Sequence, residues 1–305
     1  MAKNLTIVLL TVKLATGFIA LLVGCSTERN STQSQESIQS AVQQNGKSVN
    51  DEPLTKLGPN KVDENSSTTF LPNFSQYASA RDKKEAFFGY LSPLADAANA
   101  KVLSLRQQLE RINPKDITQQ QVNHLKILSK AYRIKAIHPD QQLELLLYKV
   151  NMIPKSLILA QAANESAWGT SRFALHGNNL FGQWCFRAGC GLVPAKRNSG
   201  SNHEVRRFDT PRQSVDAYIA NLNTHPSYSK LRQIRQCLIN HNEIMTGRAL
   251  VVGLNHYSSR GLEYIDEIRK LIKTNQLENW AQQWWGDTTN HPCRNLVTIK
   301  QSPST

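Results

Sequence analysis

The chain has 305 residues, room for one or two domains at the usual ~100–200 residues each. Lysine and arginine number 36 against 23 aspartate and glutamate, a net charge of +13, and 40% of residues are hydrophobic. That much apolar material excludes a wholly disordered chain, 15 Gly and 12 Pro exclude collagen-like and proline-rich architectures, and five Cys are too few for a disulfide scaffold. The basic balance leaves nucleic acid, anionic membrane and anionic wall polymer open as partners.

The charge is unevenly placed. Residues 1–80 carry six basic and six acidic side chains, so the whole excess belongs to residues 81–305. Before Cys25 the only charges are Lys3 and Lys13, and the apolar run from Leu14 to Val23 has the length of a signal-peptide core. It ends in Leu22-Val23-Gly24-Cys25, which resembles a bacterial lipobox whose cysteine becomes lipidated. A membrane-spanning anchor is the alternative, but a span wants about 20 apolar residues and Lys13 would sit near its middle. Ser26, in place of Asp, points to the outer rather than the inner membrane. Export to the periplasm removes nucleic acid as a partner and leaves lipid and peptidoglycan.

Residues 26–77 read as a flexible polar linker, rich in Ser, Thr, Gln and Asn, that buries too little apolar surface to offset its ordering entropy. A catalytic domain is expected over 78–290 and a tail over 291–305. Helical apolar spacing marks 81–111, with Pro93 expected to kink it or end a first piece. Further helices are expected over 117–135, 141–150 and 155–168, the last opened by Pro154. Between Leu180 and Phe208 the helical period gives way to Gly, aromatic and β-branched residues, which predicts short strands. Pro211 restarts helix, followed by helices near 228–238, 243–254 and 259–273. The fold class is α+β: a mostly helical domain with a small β lobe.

The segment most suited to chemistry is Ile158 to Gly169. On a helix, Ile158, Ala162 and Glu165 share one face, so Glu165 lies on an apolar stripe where desolvation raises a carboxyl pKa. Such a group beside Trp168 suits a general acid; the alternative is a solvated helix-end carboxylate. The small residues Ala162, Ala163, Ser166 and Ala167 would let a bulky substrate approach, and Gly169 ends the helix.

Asn164-Glu165-Ser166-Ala167-Trp168-Gly169, followed by Gly177-Asn178-Asn179-Leu180-Phe181-Gly182, resembles the glucosaminidase family of peptidoglycan hydrolases (glycoside hydrolase family 73). Phe181-Gly182-Gln183-Trp184-Cys185-Phe186 and Gly189-Cys190-Gly191-Leu192-Val193-Pro194 resemble its proteobacterial Bax-type branch, and the similarity runs on through Arg207-Phe208, Tyr218, 221–225 and Tyr228. The resemblance implies a lysozyme-like fold, β-N-acetylglucosaminidase activity on peptidoglycan, and Glu165 as the catalytic acid. Glycoside hydrolysis usually needs a second carboxylate, which the family places variably on or near the β lobe; Glu204 is the candidate here and Asp209 the alternative, unless the substrate's own N-acetyl group does that work. Alternation would put Glu204, Arg206 and Phe208 on one strand face, with Glu204 ionised beside Arg206. Tyr257 matches the family's cleft tyrosine, to hydrogen-bond the sugar or hold a water, although Asn255-His256-Tyr257-Ser258-Ser259 departs from the commoner Tyr-Ala-Thr-Asp form.

Trp168, Phe181 and Trp184 are candidate sugar-stacking rings, Trp184 being the one favoured as exposed, and Asn179 and Arg206 are candidate substrate contacts. Cys185 and Cys190 fit a loop-closing disulfide better than a zinc site, and Cys237 with Cys293 makes a second candidate pair that would staple the tail. No metal or organic cofactor is expected. Lys196, Arg197, Arg206, Arg207 and Arg212 would form a basic rim that concentrates an anionic polymer. A lytic transglycosylase, and a non-catalytic wall-binding lipoprotein, are the alternative functions.

Overall fold

The computed structural model describes residues 70–195, 202–278 and 291–297. All of them belong to the compact unit 59–305. Cys25 with its apolar run, and Lys196 and Arg197 of the basic rim, lie outside the described residues.

The architecture is α+β and mostly helical. A 3₁₀ turn at Phe74–Gln76 leads into α1 (Ala80–Glu110), then α2 (Gln119–Ala131), α3 (Pro139–Lys149), α4 (Lys155–Glu165) and the short α5 (Arg172–Gly177). Three small strands follow, β1 (Trp184–Cys185), β2 (Gly191–Leu192) and β3 (Glu204–Arg206), and then α6 (Pro211–Thr224), α7 (Ser229–Asn240), α8 (Gly247–Leu250), α9 (Leu262–Thr274) and α10 (Arg294–Val297). The sheet is antiparallel in the order β1-β3-β2, with Trp184 opposite Val205 and Leu192 opposite the same residue on the other side. Among the described residues no helix is long and apolar enough to cross a membrane.

The organising element is α4. Every residue from Ser156 to Ala163 is buried, as expected of a helix that is apolar all round and passes through the core. Around it pack one-sided helices. α9 turns in Tyr264, Ile265, Ile268 and Ile272, α6 turns in Val215, Tyr218, Ile219 and Leu222, and α1 contributes Phe87, Leu91, Leu94, Ala95 and Ala98. A second, smaller core of Leu109, Ile112, Leu125, Leu143, Leu146 and Val150 joins the end of α1 to α2 and α3. Two buried arginines on α7 tie loops to this frame. Arg235 donates to the carbonyls of Tyr148 and Lys149 and to Asn223 Oδ1, and Arg232 donates to those of Leu222 and His225.

Several boundaries differ from the sequence expectation for local reasons. α1 runs unbroken through Pro93; the carbonyl robbed of its donor is that of Gly89, on the exposed face of the helix, open to solvent. α2 starts at a Thr118–Gln121 capping box and stops before Arg133, whose φ is 54°. Instead of a helix over 243–254 there is one turn of α8 and a 3₁₀ turn at Val251–Leu254. Gly247 and Gly253 press there against Ser156 and Leu231 so closely that a Cβ would stand 2.5 Å and 2.3 Å from their atoms. Phe74, inside the stretch expected to be linker, is buried against Phe87 and Tyr90. α5 has no counterpart in the sequence expectation.

Candidate active site

α4 ends at Glu165, three residues before the expected Trp168. Ala167, Trp168 and Gly169 all take left-handed backbone, with φ of 50°, 59° and 75°. The break is held by Ser166, whose hydroxyl donates to the Ala162 carbonyl (2.6 Å) and accepts from the Gly169 amide (2.8 Å). Gly169 is required here, since a Cβ would stand 2.5 Å from the Phe74 ring. Ser166, expected as part of an open floor with Ala162 and Ala163, is buried with them instead; only Ala167 of that group is exposed.

Glu165 is therefore the point where the buried central helix surfaces. Burial pushes its carboxyl above the usual carboxylate range; hydrogen bonding from Tyr264 and Asn164 and the charge of Arg260 pull the other way, and Glu267 adds to the rise. Its place at a helix C-terminus also disfavours negative charge. Behind it runs a buried hydrogen-bond chain of one polarity. The Tyr218 hydroxyl donates to Gln161 Oε1, Gln161 Nε2 donates to the Tyr264 hydroxyl (2.5 Å), and Tyr264 faces the Glu165 carboxyl. Burial and the nearby Glu165 carboxylate raise the phenols of Tyr218, Tyr228, Tyr257 and Tyr264, so they remain neutral donors. Gly182, with φ of 64°, faces the carboxyl from the loop, where even a Cβ would stand 3.9 Å from Oε2.

The loop 178–183 brings several candidates together, but not as sugar contacts. Asn179 is buried with its amide committed. Its Nδ2 donates to the carbonyls of Gln183 (2.9 Å) and Arg206 (2.8 Å), and its Oδ1 accepts from the amides of Phe181 (3.2 Å) and Gln183 (3.1 Å). It clasps the loop to β3 and has no donor left for a ligand. Phe181 is a core ring, stacked on Tyr218 at 4.0 Å. Tyr257 donates its hydroxyl to the Phe181 carbonyl (2.9 Å) and stacks on Tyr264 (5.6 Å), so it braces the loop and its neighbour instead of offering its proton to a sugar. Trp168 is half-buried, edge-on to Phe87 and Phe88.

In the β lobe, Glu204 is buried and both carboxylate oxygens are engaged, one accepting from the Gly189 amide (3.0 Å) and the other from Gly191 (2.7 Å). That corrects both expectations for it, surface ion pair and free second carboxylate: it clamps the turn closed by the Cys185–Cys190 disulfide. A second disulfide joins Cys237 to Cys293 and ties α10 to α7. The alternative, Asp209, is exposed and accepts from Gln213 at the start of α6. Burial does not alternate even within β3: Glu204 and Val205 are both buried and Arg206 is exposed, its guanidinium lying 4.7 Å over the Phe208 ring. Trp184 is 59% exposed and stacks on His203 at 4.2 Å, an open aromatic platform. Arg207 is exposed like Arg206, whereas Arg212 is spent on Asp216.

Sequence reasoning singled out Glu165 but missed Gln161 and the role of Tyr264. The signal was present for Gln161, one helical turn before Glu165 and so on its side of the helix; Tyr264 comes from a distant helix and needed the fold.

Residues 143–277 match the family model described as mannosyl-glycoprotein endo-beta-N-acetylglucosaminidase. Protein bax of Escherichia coli (strain K12) is 32% identical over 209 residues, 68% of this chain and 74% of that protein. The chain belongs to the glucosaminidase family. It is a glycoside hydrolase of the Bax-type branch. Among solved structures it is similar to the catalytic domain of the autolysin Auto from Listeria monocytogenes, with 17% identity, a TM-score of 0.37, and coverage of 67% of this chain and 90% of that one. The family match spans α3 to α9, which holds Glu165 and every tyrosine around it.

Proposed function

We propose that this glucosaminidase hydrolyses the glycan strand of peptidoglycan, cleaving after N-acetylglucosamine with Glu165 as general acid. The observation that carries the reading is the half-buried Glu165 carboxyl, whose pKa burial raises so that its protonated form is favoured beyond that of an exposed carboxylate, facing Gly182 of the 178–183 loop, where no side chain stands over it. Protonation of the glycosidic oxygen by Glu165 lets that bond break; the same carboxylate then takes a proton from the water that attacks the anomeric carbon. Glu204 is occupied by two backbone amides, so the second role falls to the substrate's acetamido oxygen, which closes on the anomeric carbon as the leaving group departs. Trp184 offers a stacking face at the β lobe, and the exposed Arg206 on the neighbouring strand β3 is a polar contact for the substrate. We further propose that Cys25 is lipidated and that the linker holds the enzyme in the periplasm at the outer membrane; the Leu22-Val23-Gly24-Cys25 pattern supports this.

The experiment is digestion of purified sacculi with the wild type, Glu165→Gln and Glu204→Gln, followed by reducing-end analysis. New N-acetylglucosamine reducing ends, lost with Glu165→Gln and kept with Glu204→Gln, are expected. Anhydro ends would make the enzyme a lytic transglycosylase, full activity of Glu165→Gln would remove the assigned acid, and a loss with Glu204→Gln as deep as with Glu165→Gln, in a variant that keeps the wild-type Tm, would remove the acetamido role. Fatty-acid labelling of the wild type but not of Cys25→Ala tests the anchor.

A further inference from the structure

Beside Glu165 lies a cavity of about 410 Å³, bounded by the start of α1, the end of α4 and the last turns of α9. Its lining includes Lys84, Asn164, Trp168, Glu267, Lys270 and Thr274. That volume is in the range of built ligand sites, ~300–1,000 Å³. Trp168 contributes an aromatic face, with Lys84 Nζ 5.0 Å above its ring. Asn164 belongs to the cavity and also donates to Glu165 Oε1 (3.3 Å), so the cavity and the carboxyl are neighbours on one helix end.

The charge in this cavity is positive and uncompensated. Glu267, its acidic lining residue, is taken by Arg260 at 2.6 Å. Neither Lys84 nor Lys270 has a carboxylate within ion-pair distance among the described residues. Two ammonium groups around an aromatic and amide floor suit an organic carboxylate. N-acetylglucosamine itself carries no charge. In peptidoglycan every second sugar bears, through a lactyl ether, a short peptide with free carboxylates; a cut after N-acetylglucosamine places such a sugar next to the broken bond.

We propose that this cavity receives the carboxylate-bearing peptide stem of the sugar adjoining the cleaved bond, with Lys84 and Lys270 as its charge partners. The proposal rests on the peptidoglycan reading above. It makes the enzyme selective for strands that still carry their peptides.

The test compares kcat/KM of the full-length protein on peptide-bearing glycan strands and on strands stripped of stems by an amidase, which keep only the short lactyl carboxylate and lose the carboxylates of the peptide. The wild type is expected to prefer peptide-bearing strands by about tenfold, the scale of one charge-assisted contact. The Lys84→Ala/Lys270→Ala double variant is expected to bring that ratio near one, and Lys84→Arg/Lys270→Arg to keep it. The ratio is independent of how much protein folds. A wild-type ratio of one, or a double alanine variant that keeps the preference, overturns the stem site while leaving the hydrolase reading intact. If the wild type cleaves neither substrate, the peptidoglycan reading falls and the stem site with it.

Discussion

Glu165 is held between two opposing demands: burial favours the protonated carboxyl, and the chain of donors behind it favours the carboxylate. The balance sets where the acid titrates. Removing the Tyr264 hydroxyl takes away a donor to the ionised form, so the pKa rises further. Tyr264→Phe is expected to move the alkaline limb of the kcat–pH profile to higher pH, and Gln161→Leu to move it in the same direction; an unmoved or lowered limb would show that the chain does not reach the carboxyl. The same shift carries a stability cost. A carboxyl whose folded pKa is raised binds its proton more tightly in the native state, so its contribution is favourable at low pH and is lost as pH rises from the usual carboxylate value through the raised one. Glu165→Gln does not titrate. The variant is expected to lose activity by 10²–10⁴-fold, a typical general-acid contribution of about that size, while its Tm exceeds that of the wild type at neutral pH and not at pH 4. Thermal melts at the two pH values check this.

At the scale of elements, function and strain meet in the turn after α4. Ala167 and Trp168 hold left-handed φ values that cost an L-residue about 1–2 kcal/mol each. The turn persists because Ser166 bridges it and the Trp168 ring is wedged against α1. Ala167→Gly is expected to stabilise the protein by about 0.5–1 kcal/mol, the relieved strain less the added entropy of the unfolded chain. Gly169→Ala meets both the φ of 75° and the Phe74 ring, and is expected to destabilise by about 2–4 kcal/mol in urea titration. A Gly169→Ala variant as stable as the wild type would mean that Phe74 does not pack there. In the β lobe, Gly191 allows β2 to approach β3, where a Cβ would stand 2.0 Å from the Val205 carbonyl oxygen. Glu204 and the Cys185–Cys190 disulfide then fix the turn beneath the Trp184 platform.

Over the whole molecule, two crosslinks of different reach divide the labour. Cys185–Cys190 spans 5 positions and shapes a local turn, while Cys237–Cys293 spans 56 and ties the last described helix to α7. Loop-closure entropy grows with the length enclosed, giving about 2 kcal/mol for the short loop and about 4 kcal/mol for the long one. Cys237→Ser/Cys293→Ser is therefore expected to lower Tm more than Cys185→Ser/Cys190→Ser. The net charge of +13 is carried by residues 81–305 and works at the same scale. Attraction to an anionic wall polymer is screened by salt, so sacculus binding should weaken steeply between low and high ionic strength. Binding that ignores salt would assign the basic surface another role.

The amino-acid sequence by itself determined the mostly helical class, the β lobe between 180 and 208 and the Cys185–Cys190 bridge, and it singled out Glu165. Each rests on a short-range signal: helical apolar spacing, glycine and aromatic composition, cysteines five positions apart, a carboxylate on an apolar stripe. Only the tertiary structure decided what surrounds the acid. Gln161, Tyr218 and Tyr264 converge on Glu165 from three helices, and the convergence depends on packing that no local period encodes. The same holds for the residues that changed role. Asn179, Phe181, Glu204 and Tyr257 have the chemistry of sugar contacts, but the closed fold spends their donors and acceptors and the Phe181 ring on neighbouring backbone and rings. A polar side chain in a motif can bind a ligand or hold the loop that does. Which one follows from burial and hydrogen-bond saturation, and both are set when the chain folds.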